Sequence, residues 1–202
     1  MNSETEKITG GQLSRARFLA SLYLTELILL LLGLVMTRLA SRAWFPYGFQ
    51  FTAENLLLGV LTAVPVAILI LLATFGPINK IAIVEQSMKK ITSRLHRILG
   101  STVNSLTAVD IVLLSAAAGI GEELFFRGML QSYIGVITSA VVFGLLHALT
   151  PAYFVLATII GIYFGSIYES TNNLLIPMVG HAVYDIFALY LLRWQFEQQR
   201  QM

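Results

Sequence analysis

The sequence predicts an all-α protein, a polytopic membrane helical bundle of about six transmembrane helices plus one amphipathic interfacial helix. Three observations carry that prediction. Only 12% of the 202 residues are charged, 56% are hydrophobic and the mean hydropathy is +0.76, whereas a soluble domain has about 25% charged residues. Several apolar runs reach the roughly 20 residues that cross a bilayer as a helix. The bases cluster between those runs, a pattern of membrane topology and not of nucleic-acid binding. Cysteine is absent, which excludes disulfides, zinc-thiolate sites and cysteine nucleophiles.

The first span covers residues 18–37 and follows Lys7, Arg15 and Arg17. Its apolar run exceeds a signal-peptide core, and the Arg-containing stretch after it is a poor cleavage site, so it reads as a retained helix. The second span covers 55–75, with a kink expected at Pro65 and a stop at Gly76-Pro77. Residues 79–99 change character. Ile81, Val84, Met88, Ile91, Leu95 and Ile98 recur at spacings of three and four, with Lys80, Lys89, Lys90, Arg94 and Arg97 between them. That periodicity predicts an amphipathic helix ended by Gly100 and lying on an anionic membrane surface. The same spacing also fits a short coiled-coil contact. His96, within it, reads as a solvated histidine on a loop face.

Four further spans follow at 107–132, 135–149, 152–168 and 175–192, joined by short turn-rich connections. The chain thus divides into an N-terminal membrane region, 1–104, and a four-span core, 105–202. With the N-terminus in the cytoplasm, ten of the thirteen bases fall on that side, Arg38 and Arg42 fall outside, and Arg127 lies within a span. Both termini are therefore expected to be cytoplasmic.

Charges are costly inside a bilayer, about 3 kcal/mol each at a helix centre on insertion scales. The chain nevertheless places Glu26, Asp110, Glu122, Glu123, Arg127, His147, His181 and Asp185 in or near spans. Glu123 and Arg127 are four apart, about 40° on the helical wheel, in the favourable order for an ion pair. Glu122 lies about 140° from Arg127 and must find another partner or do chemistry. If the chain turns at Tyr133-Ile134-Gly135, Glu122 and His147 both lie roughly 18–20 Å from that turn and share a layer. His181 and Asp185, four apart, face one way. These four side chains can converge, and polar groups in lipid need partners. Asp110 follows Thr107 by three and reads as a capping residue. Glu26 reads as hydrogen-bonded to a neighbouring helix, with no role.

Glu122-Glu123-x-x-x-Arg127, Phe143-x-x-x-His147 and His181-x-x-x-Asp185, in that order on successive apolar helices, resemble the CAAX prenyl protease and bacteriocin-processing (Abi) family of intramembrane glutamic endopeptidases. The resemblance covers about 105–192. It implies an endopeptidase working within the membrane. Glu122 would be the general base that activates a water, with His147 assisting. His181 and the residue at 185 would support the oxyanion. Glu123, Arg127 and Phe143 would hold the site together. The family accepts Asn or Asp at the last position. An ionised Asp185 cannot donate to an oxyanion, so it reads instead as orienting His181 and stabilising its cationic form.

A zinc site built from the same histidines and carboxylates is the mechanistic rival, but His-Glu-x-x-His spacing is absent and the ligands would come from three helices. A metal-free glutamate mechanism is therefore expected, with no cofactor. The expected partners are a peptide or membrane-protein substrate and the lipid bilayer, with no nucleic acid, in a bacterial-type inner membrane. Two other functions compete. One is a non-catalytic membrane protein acting in bacteriocin immunity or as a scaffold. The other is a transporter or proton relay, against which the chain is short and shows no repeat symmetry.

Overall fold

The computed structural model describes residues 15–41 and 48–201, and the regular structure among them is entirely helical. The helices are α1 (Arg15–Ser41), α2 (Ala53–Thr74), α3 (Ala82–Ser105), α4 (Ala108–Glu123), α5 (Gln131–Leu146), α6 (Pro151–Thr171) and α7 (Leu175–Gln201). A 3₁₀ turn, Pro77–Lys80, precedes α3, and a π-helical segment, Leu124–Leu130, joins α4 to α5. Lys7 and Arg42, which enter the charge argument, lie outside the described residues.

Five stretches among the described residues are long and apolar enough to cross a membrane: Arg15–Leu39, Ala53–Lys80, Ala108–Leu146, Pro151–Thr171 and Leu175–Gln198. The all-α polytopic bundle is thus the observed architecture. The third stretch holds two of the six expected spans. It reverses at Gly135, whose φ of 76° and ψ of 167° are non-helical and open only to glycine without strain. The reversal is visible in its contacts. Ser139 Oγ donates to the Phe126 carbonyl at 3.0 Å, and the Phe126 and Phe143 rings sit 5.0 Å apart. The leg from Gly135 to Leu146 is only about 16 Å long, short of the roughly 30 Å hydrocarbon layer. It is half a span, which corrects the expectation of a complete fourth crossing.

Helix directions follow from contacts at known positions. Arg15 pairs with Asp110, and Glu26 lies against Gly121, so α1 and α4 run parallel. Gly59 meets Val179 and Phe75 meets Trp194, so α2 and α7 run parallel to each other. Gly119 meets Met178 and Ala182, and Arg193 donates to the Leu106 carbonyl, so α7 is antiparallel to α4. The start of α1 and the end of α7 therefore share one end of the bundle. Asp110 caps α4, as its spacing from Thr107 predicts, through a reciprocal pair of bonds with Thr107. It also takes Arg15 in a two-pronged contact at 2.6 to 2.9 Å, which ties α1 to α4.

One expected boundary of the amphipathic segment is overturned. Its helix passes through Gly100 and ends at Ser105. A glycine inside a helix costs only about 1 kcal/mol relative to alanine, and the residues on either side sustain the helix. The central part of the apolar stripe faces inward, while Ile81 and Ile98 at its ends are exposed. Val84, Met88, Ile91 and Leu95 face a cavity in the bundle, while Lys89, Lys90, Arg94 and Arg97 are exposed. His96 is not on a loop; its ring packs against Phe196 at 4.4 Å.

Candidate active site

The third leg brings three of the predicted residues together at its centre. Immediately after Glu122 and Glu123 the helix loosens into the π-helical segment, and such widened turns recur at functional sites. Glu123 is fully buried, and its Oε1 meets Arg127 Nη1 at 3.0 Å and His181 Nδ1 at 2.7 Å. The Glu123–Arg127 pair is the one that the helical wheel selects. Arg127, 2% exposed, also donates to the Gly161 carbonyl at 3.3 Å and so fastens α6. Its guanidinium lies 4.8 Å from the centre of the Phe143 ring. Phe143 is also stacked on His147 at 4.3 Å. Phe143 is thus the spacer that relates the ion pair to a histidine.

His147 sits where α5 ends. Its Nδ1 is 2.9 Å from the Phe143 carbonyl. A carbonyl only accepts, so Nδ1 carries the hydrogen and Nε2 is turned toward the site. From there Nε2 lies 3.8 Å from Glu122 Oε1. On the opposite side His181 Nε2 lies 3.8 Å from Glu122 Oε2. Both separations exceed a hydrogen bond and suit contacts bridged by one water-sized group. Glu122 is 9% exposed, and its Oε2 is buried without a hydrogen-bond partner. The four converging residues expected from depth and spacing do converge, with Asp185 Oδ2 at 3.6 Å from His181 Nε2. By helical rise the cluster lies about 9 Å from Leu175 at one end of α7 and about 21 Å from Ala108 at the far end of α4.

One expected arrangement is different. Asp185 was expected to orient His181, but the short bond to its ring comes from Glu123, and Asp185 stands beyond hydrogen-bond range. The carboxylate that holds the imidazole is therefore the same one that pairs with Arg127. Sequence spacing could not show this, because it depends on how α7 seats laterally against α4.

Two residues were missed. Tyr184 Oη lies 3.2 Å from His181 Nε2, and its ring stacks on that imidazole at 4.9 Å. It follows His181 by three, so the spacing that paired His181 with Asp185 also pointed to Tyr184. Glu26 was expected to bond to a neighbouring helix; its Oε2 is instead buried without a hydrogen-bond partner, in the wall of the cavity. The signal was its isolation, an acid without an in-helix partner in an apolar span.

That cavity, of about 500 Å³, is lined mainly by apolar side chains. Glu122, His147, His181 and Asp185 lie in its wall, as do Tyr153 of α6 and the inward stripe of α3. Largely apolar walls with a few converging polar groups are the usual make-up of a small-molecule or substrate site.

Residues 104–187 match the family model described as type II CAAX prenyl endopeptidase, Rce1-like. A curated relative, the uncharacterized protein YpbD of Bacillus subtilis (strain 168), is 34% identical over 93 residues, 45% of this chain and 48% of the relative. The chain thus spans about half the length of the curated relative it matches. No solved structure matches. Over the stretch that carries all seven predicted site residues, the chain is similar to the Rce1-like type II CAAX prenyl endopeptidases, the family that its three motifs resemble.

Proposed function

We propose that this protein is a membrane-embedded endopeptidase that hydrolyses peptide bonds with a water activated by Glu122. The observation that carries the reading is the placement of Glu122: a buried carboxylate whose two oxygens each face a histidine Nε2 at 3.8 Å. A water between them would have Glu122 as acceptor for its proton and His147 to hold it in place. As the carbonyl is attacked, negative charge grows on its oxygen. His181, in its cationic form, would present Nε2–H to that charge, held in place by Glu123 through Nδ1. Tyr184 Oη is a second donor beside it. Asp185 supports the cation by charge from 3.6 Å.

The mechanism is read as metal-free. His181 Nδ1 is held by Glu123 and His147 Nδ1 by the Phe143 carbonyl, which supports two histidines oriented by hydrogen bonds, each turning Nε2 toward the site. The substrate is read as a peptide or membrane-protein segment, since the cavity wall is apolar. The membrane is read as a bacterial-type inner membrane with both termini in the cytoplasm, in keeping with the basic end of the bundle.

The test compares peptide termini, by terminal labelling and mass spectrometry, between cells carrying the wild-type protein and cells carrying Glu122→Ala at matched expression. Termini that vanish with Glu122 are the expected result. Identical termini, with the variant still rescuing a deletion phenotype, would leave the scaffold function in place of proteolysis.

A further inference from the structure

The connectivity lays α3 across one end of the bundle. Because α2 runs parallel to α7, and α7 antiparallel to α4, α2 ends where α4 begins and α7 ends. α3 joins the end of α2 to the start of α4. Its 24 residues, about 36 Å of helix, therefore lie over that end and not along the bundle. Leu95 and Leu99 seat its second half on a cluster of Val103, Leu192 and Phe196. Beside α3 is a second cavity, of about 590 Å³, bounded by the last residues of α2, one side of α3 and the last turns of α7. From α3 it takes Lys89, Ser93, His96 and Arg97, which fall within about 100° of one another on the helical wheel. Asn79 and Gln198 add amide groups to its wall. Phe75 and Trp194 stand in the same wall as an edge-to-face pair, with ring centres 5.7 Å apart.

The charge of this wall selects a ligand. Lys89 is paired with Glu85 at 2.6 Å, an exposed surface contact of the weak kind that exchanges readily. Arg97 is exposed and in no ion pair among the described residues. Leaving His96 aside, two bases face one acid, an excess of one positive charge, which matches one phosphodiester. Next to the cavity the surface changes character. Leu71, Leu72 and Phe75 of α2 and Tyr190 and Trp194 of α7 are exposed, on two helices long and apolar enough to cross a membrane. Tyrosine and tryptophan belong at the headgroup level of a bilayer. A basic, donor-rich hollow at the foot of a lipid-facing surface satisfies a phosphate and its acyl chains together, which a free phosphate would use only in part. We infer that this cavity binds the headgroup of one anionic phospholipid, with Arg97 and Lys89 on the phosphate and the acyl chains along α2. A quaternary ammonium headgroup would bring a second positive charge to these bases, whereas the hydroxyls of a glycerol headgroup suit Asn79 and Gln198. Thr74, Met88, Thr92 and Gln195 line both this cavity and the larger one, so a bound lipid braces the part of α3 that covers the candidate site.

The test uses the full chain in detergent micelles and native mass spectrometry, with dioleoyl phosphatidylglycerol as the probe. One tightly held lipid per chain is expected. The double variant Lys89→Gln/Arg97→Gln should hold it at least five-fold more weakly. Lys90→Gln/Arg94→Gln removes the same charge from exposed positions outside the cavity and should stay within about two-fold of wild type. Equal weakening in both double variants would overturn the site, because a diffuse basic surface responds to charge wherever it lies. Dioleoyl phosphatidylcholine held as tightly as phosphatidylglycerol would overturn the anionic headgroup. A rise in the unfolding midpoint with inorganic phosphate equal to that with phosphatidylglycerol would overturn the lipid and leave a site for free phosphate. A wild-type chain that retains no phosphatidylglycerol would overturn the whole inference. Every readout is binding, so the outcome is independent of whether the chain cleaves peptides.

Discussion

Glu123 sits at the convergence of two positive or potentially positive groups, and its loss should be the most damaging single change in the site. Arg127 and His181 are both almost fully buried and both lean on its Oε1. Removing one partner of a buried ion pair leaves an uncompensated charge, at a cost of about 3–5 kcal/mol. Glu123→Ala should therefore lower the unfolding midpoint in detergent sharply, whereas Glu122→Ala, which breaks no close hydrogen bond, should abolish cleavage with little change in that midpoint. Asp185 gives a graded prediction. Asp185→Asn, which removes the charge, and Asp185→Ala, which removes the charge and the side chain, should both lower cleavage, alanine more; cleavage by Asp185→Asn equal to wild type would remove its electrostatic role. At this scale the sequence was legible wherever two residues share a helix. The Glu123–Arg127 pair follows from a four-residue step, and Glu122 is left over by the same arithmetic. The Glu123–His181 bond crosses from α4 to α7, and no spacing within a helix reports the lateral distance between two helices.

Gly135 makes the third leg a hairpin without interrupting its helical hydrogen bonding for long, and the cost of changing it is purely conformational. A Cβ there would meet nothing within 4 Å, yet the backbone occupies a region with φ of 76°. Gly135→Ala should destabilise by about 1–3 kcal/mol, the usual cost of such a conformation in a residue with a side chain. Unfolding in sodium dodecyl sulfate titrations would show it. The turn itself was readable from Tyr133-Ile134-Gly135. The π-helical segment was not, because Leu124 to Leu130 is an ordinary apolar run whose widened turn answers to its neighbours: Ser139 takes the carbonyl of Phe126, and Gln131 Nε2 reaches the Gly165 carbonyl at 3.0 Å. The end of α3 was misread for a different reason. Glycine marks many helix ends, but its conformational freedom permits a stop without requiring one.

Across the whole molecule, the amphipathic pattern of α3 established a helix with two unlike faces but not what each face meets. A stripe of Val84, Met88, Ile91 and Leu95 suits lipid or protein equally, and only the packing shows that it turns toward the cavity. Ile91, at the middle of the stripe and buried, should therefore matter to substrate handling. Ile91→Trp, which would fill the space, should raise KM for peptide cleavage several-fold while leaving kcat within about two-fold, since the helix lies away from Glu122. The short return leg carries a further consequence, for biogenesis. During synthesis the membrane-insertion machinery meets Ala108–Leu146 as one 39-residue stretch that is apolar on average, with no long polar loop to announce a reversal. Eleven residues beyond Gly135 cannot cross a bilayer unaided. They acquire their place by packing on α6, where Gly161 abuts Ala140 and Gly144 abuts Thr158. A ribosome stalled before α6 emerges would thus hold Glu122 and Arg127 in the membrane without His147 beside them, and the reaction centre would be assembled only after the later helix has been made.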